Sequence, residues 1–193
     1  KLDEVEAAIK PDDAHFARTR LLCLENTWNG NVLPLAWIDE ATALARRHGL
    51  AVHLDGARLW NAAVASGQSV ARLTRDVDSV SLCFSKGLGT PAGSVLAGSR
   101  AFIARALRVR KLTGGGMRQV GLLAAAAHHA LDHHVDRLAD DHALAKRLAD
   151  GLAALPGFNV VPPQTNIVFA SISEGRTEAL LAHLQSQGVL ATG

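Results

Sequence analysis

AVHLDGARLW at residues 51–60 and DSVSLCFSKGLGTP at residues 78–91 decide how this chain is read. Each carries a short apolar run that ends on a charged group, Asp55 in the first and Lys86 in the second. Residues 80–84 are apolar and partly β-branched. The run stops at Ser85 and Lys86, just before Gly87 and Gly89, which is the pattern of a buried strand emptying into a tight loop. Residues 50–54 make a second strand, before Asp55. A lysine at the mouth of an apolar strand needs a partner or a purpose, because ammonium groups are rarely left beside a core without one.

Working outward, strands and helices alternate. Upstream, residues 2–9 carry helical spacing ended by Pro11, and residues 20–25 read as a strand. Turn chemistry follows at Asn26, Asn29, Gly30 and Pro34, then a helix over 35–48 closed by Gly49. Downstream of Asp55 come helices at 57–65 and 70–73, the strand at 80–84 and a return strand at 94–98. A basic helix over 100–112 runs into Gly114, Gly115 and Gly116. Residues 117–155 predict a long helical stretch broken once. Strands at 159–161 and 166–172, a helix at 177–187 and a strand start at Val189 complete a βαβ tail. The pattern predicts an α/β fold, a mostly parallel sheet with helices on both faces. Residues 1–150 are expected to be part of a large domain, and 151–193 the beginning of a small C-terminal α/β domain.

Composition sets the outer bounds. At 193 residues, 48% hydrophobic and 20% charged, the chain is that of a globular protein able to bury a substantial core. No window reaches the roughly 18 uninterrupted apolar residues of a spanning helix. A net charge of +2, with basic residues scattered apart from a cluster over 100–111, argues against nucleic acid as the main partner. Cys23 and Cys83 each fall in a strand-like run and read as small buried hydrophobes of a reducing, cytoplasmic compartment, not as a disulfide. The chain starts without Met in an amphipathic helix and stops on an apparent strand start, so both ends look cut and a fragment is expected.

Ligands of open parallel sheets sit beyond the carboxyl ends of the strands, and Asp55 and Lys86 both occupy that position. An acid after one strand and an amine after another can share one pocket, the carboxylate holding a cationic ring nitrogen and the amine forming a Schiff base. That is the grip a protein uses on pyridoxal phosphate. Taken singly, Asp55 also reads as a helix N-cap and Lys86 as a solvated loop residue. TGGGMRQ, residues 113–119, reads either as a phosphate-binding run with Arg118 or as a flexible joint between helices.

HLDGARLWNA, SKGLGTPAGSVLAG and RVRKLTGGGMRQVG, in that order, resemble successive signatures of the low-specificity L-threonine aldolases. These belong to the aromatic amino acid β-eliminating lyase and threonine aldolase family of fold-type-I pyridoxal-phosphate enzymes. The resemblance runs through essentially all of the chain. It implies that Lys86 holds the cofactor covalently and that Asp55 pairs with the pyridine nitrogen. Arg58 would reach the phenolic oxygen or the substrate carboxylate, where a planar two-pronged donor suits a carboxylate; its plainer reading is a surface helix arginine. Arg118, and more weakly Lys111, would serve a neighbouring subunit's site. The cofactor implied is pyridoxal 5'-phosphate. The substrate is a β-hydroxy-α-amino acid, L-threonine or L-allo-threonine, split to glycine and acetaldehyde, in a homo-oligomer, dimer or tetramer, with shared active sites. The base, the phosphate-binding glycine and threonine, and a carboxylate-binding arginine are drawn from outside residues 1–193 in such relatives.

One position departs from the family pattern. Trp28 stands where many relatives carry a histidine, and indole cannot accept a proton, so hydroxyl chemistry would fall to another residue or the β-carbon preference would differ. His128, His129, His133 and His134 invite a metal reading, since His129 and His133 are one helical turn apart. No cysteine completes a site there, and AAAAHHALDHHVDRLADDH reads as a solvated helix face with no metal. Rival readings are another enzyme of the same fold (a β-eliminating lyase or an aminotransferase), an inactive fragment, or a nucleotide-binding module using TGGGMR.

Overall fold

The structure, a computed structural model, describes residues 1–172 and 175–193. Strands β1 (Leu21–Glu25), β2 (Ala51–Gly56), β3 (Ser79–Cys83) and β4 (Ser94–Gly98) form one sheet in that order. The first three are parallel, and β4 returns antiparallel along β3. Glu25, Asp55 and Ser81 lie side by side across the parallel ladder, so β1, β2 and β3 all finish at one end of the sheet.

Side chains alternate across a strand, and the alternation sorts the two faces. Leu24, Val52, Leu54 and Val80 point into the core, where Val52 and Leu54 are fully buried. Helix α2 (Leu35–Arg47) meets them with Ile38, Ala41 and Ala45, whose spacing builds one apolar stripe. Helix α3 (Leu59–Ser66) adds Leu59 and Ala62, and the short α4 (Val70–Leu73) adds Leu73. Each such buried Leu, Ile or Val side chain contributes about 1.5–3 kcal/mol of transfer free energy, an upper bound because the unfolded chain is itself partly collapsed. Polar straps fix the same layer. Arg72 of α4 pairs with both oxygens of Asp39 on α2, which holds the Asp39 carboxyl below the usual carboxylate range. Asp78 accepts from Arg46 and, at 2.7 Å, from the Val52 amide; those bonds lower its pKa and tie the start of β3 to β2.

Among the described residues the opposite face is covered at the β4 edge. There α5 (Arg100–Leu112) sets Phe102 against Gly98, where a Cβ would come within 2.8 Å of the ring. Over β1 and β2 that face is open: Leu21 is 49% exposed, and Cys23 and Ala51 are exposed beside it. Both cysteines are free thiols, but Cys23 is not the buried hydrophobe expected and Cys83 is only half-buried. The reason is parity, since Cys23 shares the face of Leu21 and Glu25 rather than that of Leu24.

The long helical stretch is broken once, as expected, into α6 (Gly121–His133) and α7 (Leu138–Ala153). Helix α7 passes through residue 150 unbroken. Beyond it β5 (Phe158–Val161) and β6 (Phe169–Ile172) pair antiparallel, followed by α8 (Thr177–Ser186). The expected strand start at Val189 is not there: Gly188 ends the helix at φ +78°, and residues 189–193 pair with no strand among the described residues. The tail is therefore a hairpin and a helix, not a βαβ unit.

Candidate active site

Three residues singled out by the sequence, Asp55, Arg58 and Lys86, lie at or just beyond the carboxyl ends of β2 and β3. Asp55 is the penultimate residue of β2, exposed, on the face opposite Leu54. Its Oδ1 accepts the Ala57 amide at 2.9 Å, which closes a local turn. It is not the cap of α3, a position that falls to Arg58. Oδ2 has no partner among the described residues, so one carboxylate oxygen remains to meet a ligand. Arg58 forms no ion pair among the described residues, and its Nε is enclosed without an acceptor. It is thus not a solvated surface arginine.

Lys86 lies three residues past β3, exposed, in a loop closed on itself. The Gly89 amide donates to the Lys86 carbonyl at 2.9 Å and the Thr90 amide to the Phe84 carbonyl at 3.2 Å. Between them Leu88 is buried to 1% exposure against Ala130 and Leu138. Gly87 has no room for a side chain: a Cβ would stand 2.8 Å from Leu138 Cδ2 and 3.4 Å from Asn61 Oδ1. Nothing else of the chain occupies the Lys86 ammonium among the described residues.

The sequence reading missed a buried polar floor beside Asp55. Asn26 and Thr27 follow β1, and the Asn26 amide continues the ladder by donating to the Asp55 carbonyl at 2.9 Å. Both are buried, at 0% and 2% exposure, yet Asn26 Nδ2 and Thr27 Oγ1 have no hydrogen-bond partner among the described residues. An unmade hydrogen bond on a buried polar atom is costly, so such orphans together mark a place where a ligand completes the set. Their signal was in the turn chemistry of NTWNGN, read there only as a bend. The loop they begin is anchored from far along the chain. Gln164 Oε1 accepts from the Val32 amide, and Thr165 Oγ1 donates to the Gly30 carbonyl at 2.6 Å. Trp28, 57% exposed, stands at the tip of that loop, bridged to Asn31.

Arg118 is not brought into hydrogen-bonding or ion-pairing contact with Asp55, Arg58 or Lys86 among the described residues; it and Lys111 are exposed. The glycine run before Arg118 has little left for an anion. The Gly114 and Gly115 amides donate to Lys111 and Arg110 carbonyls, finishing α5. Of the four histidines, His128, His129 and His133 are exposed, but His134 is half-buried and its Nδ1 lies 2.7 Å from the Leu88 carbonyl. His134 therefore departs from the solvated face expected of it. No group of three or more potential metal ligands occurs among the described residues. Nearby, Asn61 Nδ2 meets His142 Nε2 at 3.1 Å, and burial holds the His142 pKa below its ordinary value.

With the mostly parallel sheet described above, the chain has the fold-type-I α/β class of its structural neighbours. The chain belongs to the family described as β-eliminating lyase, whose profile matches residues 1–175. It is 49% identical over 189 residues to the low specificity L-threonine aldolase of Escherichia coli strain K12, covering 98% of this chain and 56% of that one. A probable low-specificity L-threonine aldolase 2 of Arabidopsis thaliana is 45% identical over 201 residues, with the same coverage. Among solved structures, a candidate L-allo-threonine aldolase of Listeria monocytogenes superposes with a TM-score of 0.81 at 25% identity, covering 100% of this chain and 54% of that one. The chain thus spans about half the length of the curated relatives it matches. No helix among the described residues is long and apolar enough to cross a membrane.

Proposed function

We propose that this chain carries the lysine-bearing part of a pyridoxal-phosphate-dependent aldehyde lyase that splits L-threonine or L-allo-threonine into glycine and acetaldehyde. What supports this is that Asp55 and Lys86 leave adjacent parallel strands at the same end of the sheet, in a chain about half identical to named threonine aldolases. The donor set fits the cofactor. Lys86 offers an amine with no competing ion pair among the described residues, Asp55 one unpartnered carboxylate oxygen, and Arg58 an enclosed Nε in need of an acceptor. When bound, pyridoxal phosphate supplies a sink for the electron pair left at Cα as the Cα–Cβ bond breaks.

The chain's own residues then have distinct tasks. Lys86 Nζ would be the nucleophile and covalent anchor. The Asp55 carboxylate would pair with the ring nitrogen and favour its protonated form, since an adjacent opposite charge stabilises the cation. Arg58 would donate to the phenolic oxygen or to the substrate carboxylate. Arg118, with Lys111, serves a neighbouring subunit's site in a homodimer or homotetramer. Trp28 Nε1 only donates, so the indole shapes the pocket and takes no proton from the β-hydroxyl. Residues 1–150 belong to the large domain and 151–193 open the small one; the compartment is the cytoplasm.

Pyridoxal phosphate added to the protein is expected to give a visible absorbance that borohydride fixes on the Lys86 peptide, and L-threonine is expected to release acetaldehyde and glycine. A Lys86→Ala variant should do neither. Ammonia with an α-keto acid, or amino transfer to one, would put the chain in another lyase or aminotransferase class. A protein that stays colourless would overturn the cofactor reading.

A further inference from the structure

We propose that His134 is a positioning residue for Lys86, holding the lysine's loop through the Leu88 carbonyl. The inference rests on the reading of Lys86 as the cofactor-holding lysine. A carbonyl oxygen only accepts, so at 2.7 Å the His134 Nδ1 must carry the proton.

The two ends of this contact are each fixed. His134 caps α6, its amide donating to Ala130 at 2.8 Å, and Ala130 is fully buried. On the loop side, Leu88 inserts its side chain between Ala130 and Leu138 while its carbonyl turns to His134. The α6–α7 turn therefore grips Leu88 by side chain and backbone at once. Leu88 is two residues from Lys86, inside the turn that the Gly89 amide closes on the Lys86 carbonyl. A Cβ on Gly87, between them, would stand 2.8 Å from Leu138 Cδ2 and 3.4 Å from Asn61 Oδ1, so the segment runs close beside α3 and α7. A long lysine side chain magnifies any tilt of its own Cα, and a covalent anchor is useful only if its amine returns to one place.

Two readouts test this on the whole chain, comparing wild type with His134→Ala, His134→Leu and His134→Asn. The first is hydrogen exchange of the Gly89 amide, with the Leu54 amide of β2 as internal control. The second is the yield of borohydride-trapped pyridoxyl-Lys86 at limiting pyridoxal phosphate, counted by peptide mass spectrometry. Loss of one hydrogen bond is expected to speed Gly89 exchange roughly three- to tenfold and to lower apparent cofactor affinity by a similar factor in the Ala and Leu variants. His134→Asn, whose carboxamide can still donate, is expected to stay near wild type. Leu54 exchange should not move. Wild-type Gly89 exchange and adduct yield in the Ala and Leu variants would overturn the proposal, as would Gly89 and Leu54 accelerating together, or Asn behaving like Leu. A wild-type protein that forms no Lys86 adduct would overturn the underlying reading instead, and the proposal with it, before any variant is made.

Discussion

Two glycine-rich loops carry a cation that the sequence marks as functional, and they differ in what they bury. The loop of Lys86 buries Leu88, bonds its own amides at Gly89 and Thr90, and leaves Gly87 no room for a methyl group. The glycine run before Arg118, between Leu112 at 85% exposure and Met117 at 69%, also bonds its own amides at Gly114 and Gly115, and a Cβ on Gly115 would stand 2.8 Å from the Arg110 carbonyl oxygen, but none of its side chains is buried. The first loop is held by a side chain buried in the core, whereas the second presents an apolar and basic surface that is exposed among the described residues. Parts of a site that must hold one geometry are found where packing over-determines the backbone. Parts that answer to a second body are left outside the core.

The sharpest way to break this contrast is to empty the first loop. Leu88→Ala should cost about 2–5 kcal/mol of unfolding free energy, because a fully buried leucine leaves a cavity. Leu112→Ala, on the exposed helix end, should stay within about 0.5 kcal/mol of wild type. Denaturant titration of both variants measures the difference, and equal costs would mean that the Lys86 loop is not packed as described.

Glycine substitutions probe the same contrast at smaller scale. Gly87→Ala drives a methyl into Leu138 and Asn61, and overpacking of this kind costs about 1–3 kcal/mol. Gly114→Ala meets open space but keeps a φ of +85°, so only backbone strain of about 1 kcal/mol is expected. Thermal unfolding should therefore order them Gly87→Ala below Gly114→Ala.

A pH effect comes next in size. Burial depresses the His142 pKa below 6.5 in the folded state, so the unfolded chain binds that proton more readily. Stability attributable to His142 is present above about pH 6.5 and falls as the pH drops toward the depressed folded value. His142→Gln should flatten that limb between neutral and mildly acid pH. A wild-type slope retained in the variant would remove His142 from the account. The smallest effect is expected from Arg118→Ala, within about 0.5 kcal/mol by denaturant titration, since its side chain is exposed and makes no hydrogen bond or ion pair among the described residues.

Much of this could be read from residue order, and the limits have physical causes. The strands before Asp55 and Lys86 were legible because apolar runs bounded by glycine and charged residues leave few alternatives, and α2 was legible from its 3.6-residue stripe. The orientation of Cys23 was available in LLCLE, where Leu24 and Cys23 must face opposite ways, but an average over the run hides it. A strand at Val189 could not be decided locally, since a strand exists only with a partner. His134 was illegible for the same reason, its acceptor lying 46 residues away. The polar floor at Asn26 and Thr27 was hidden because asparagine and threonine after a strand look like any turn until their burial is known.

The account comes down to one nitrogen. Incubating the protein with pyridoxal phosphate, reducing with borohydride and mapping the modified peptide should yield a single stoichiometric pyridoxyl group on Lys86, with an Asp55→Ala variant binding the cofactor more weakly. A label spread over several surface lysines, or absent from the peptide that contains Gly87, Leu88 and Gly89, would contradict it.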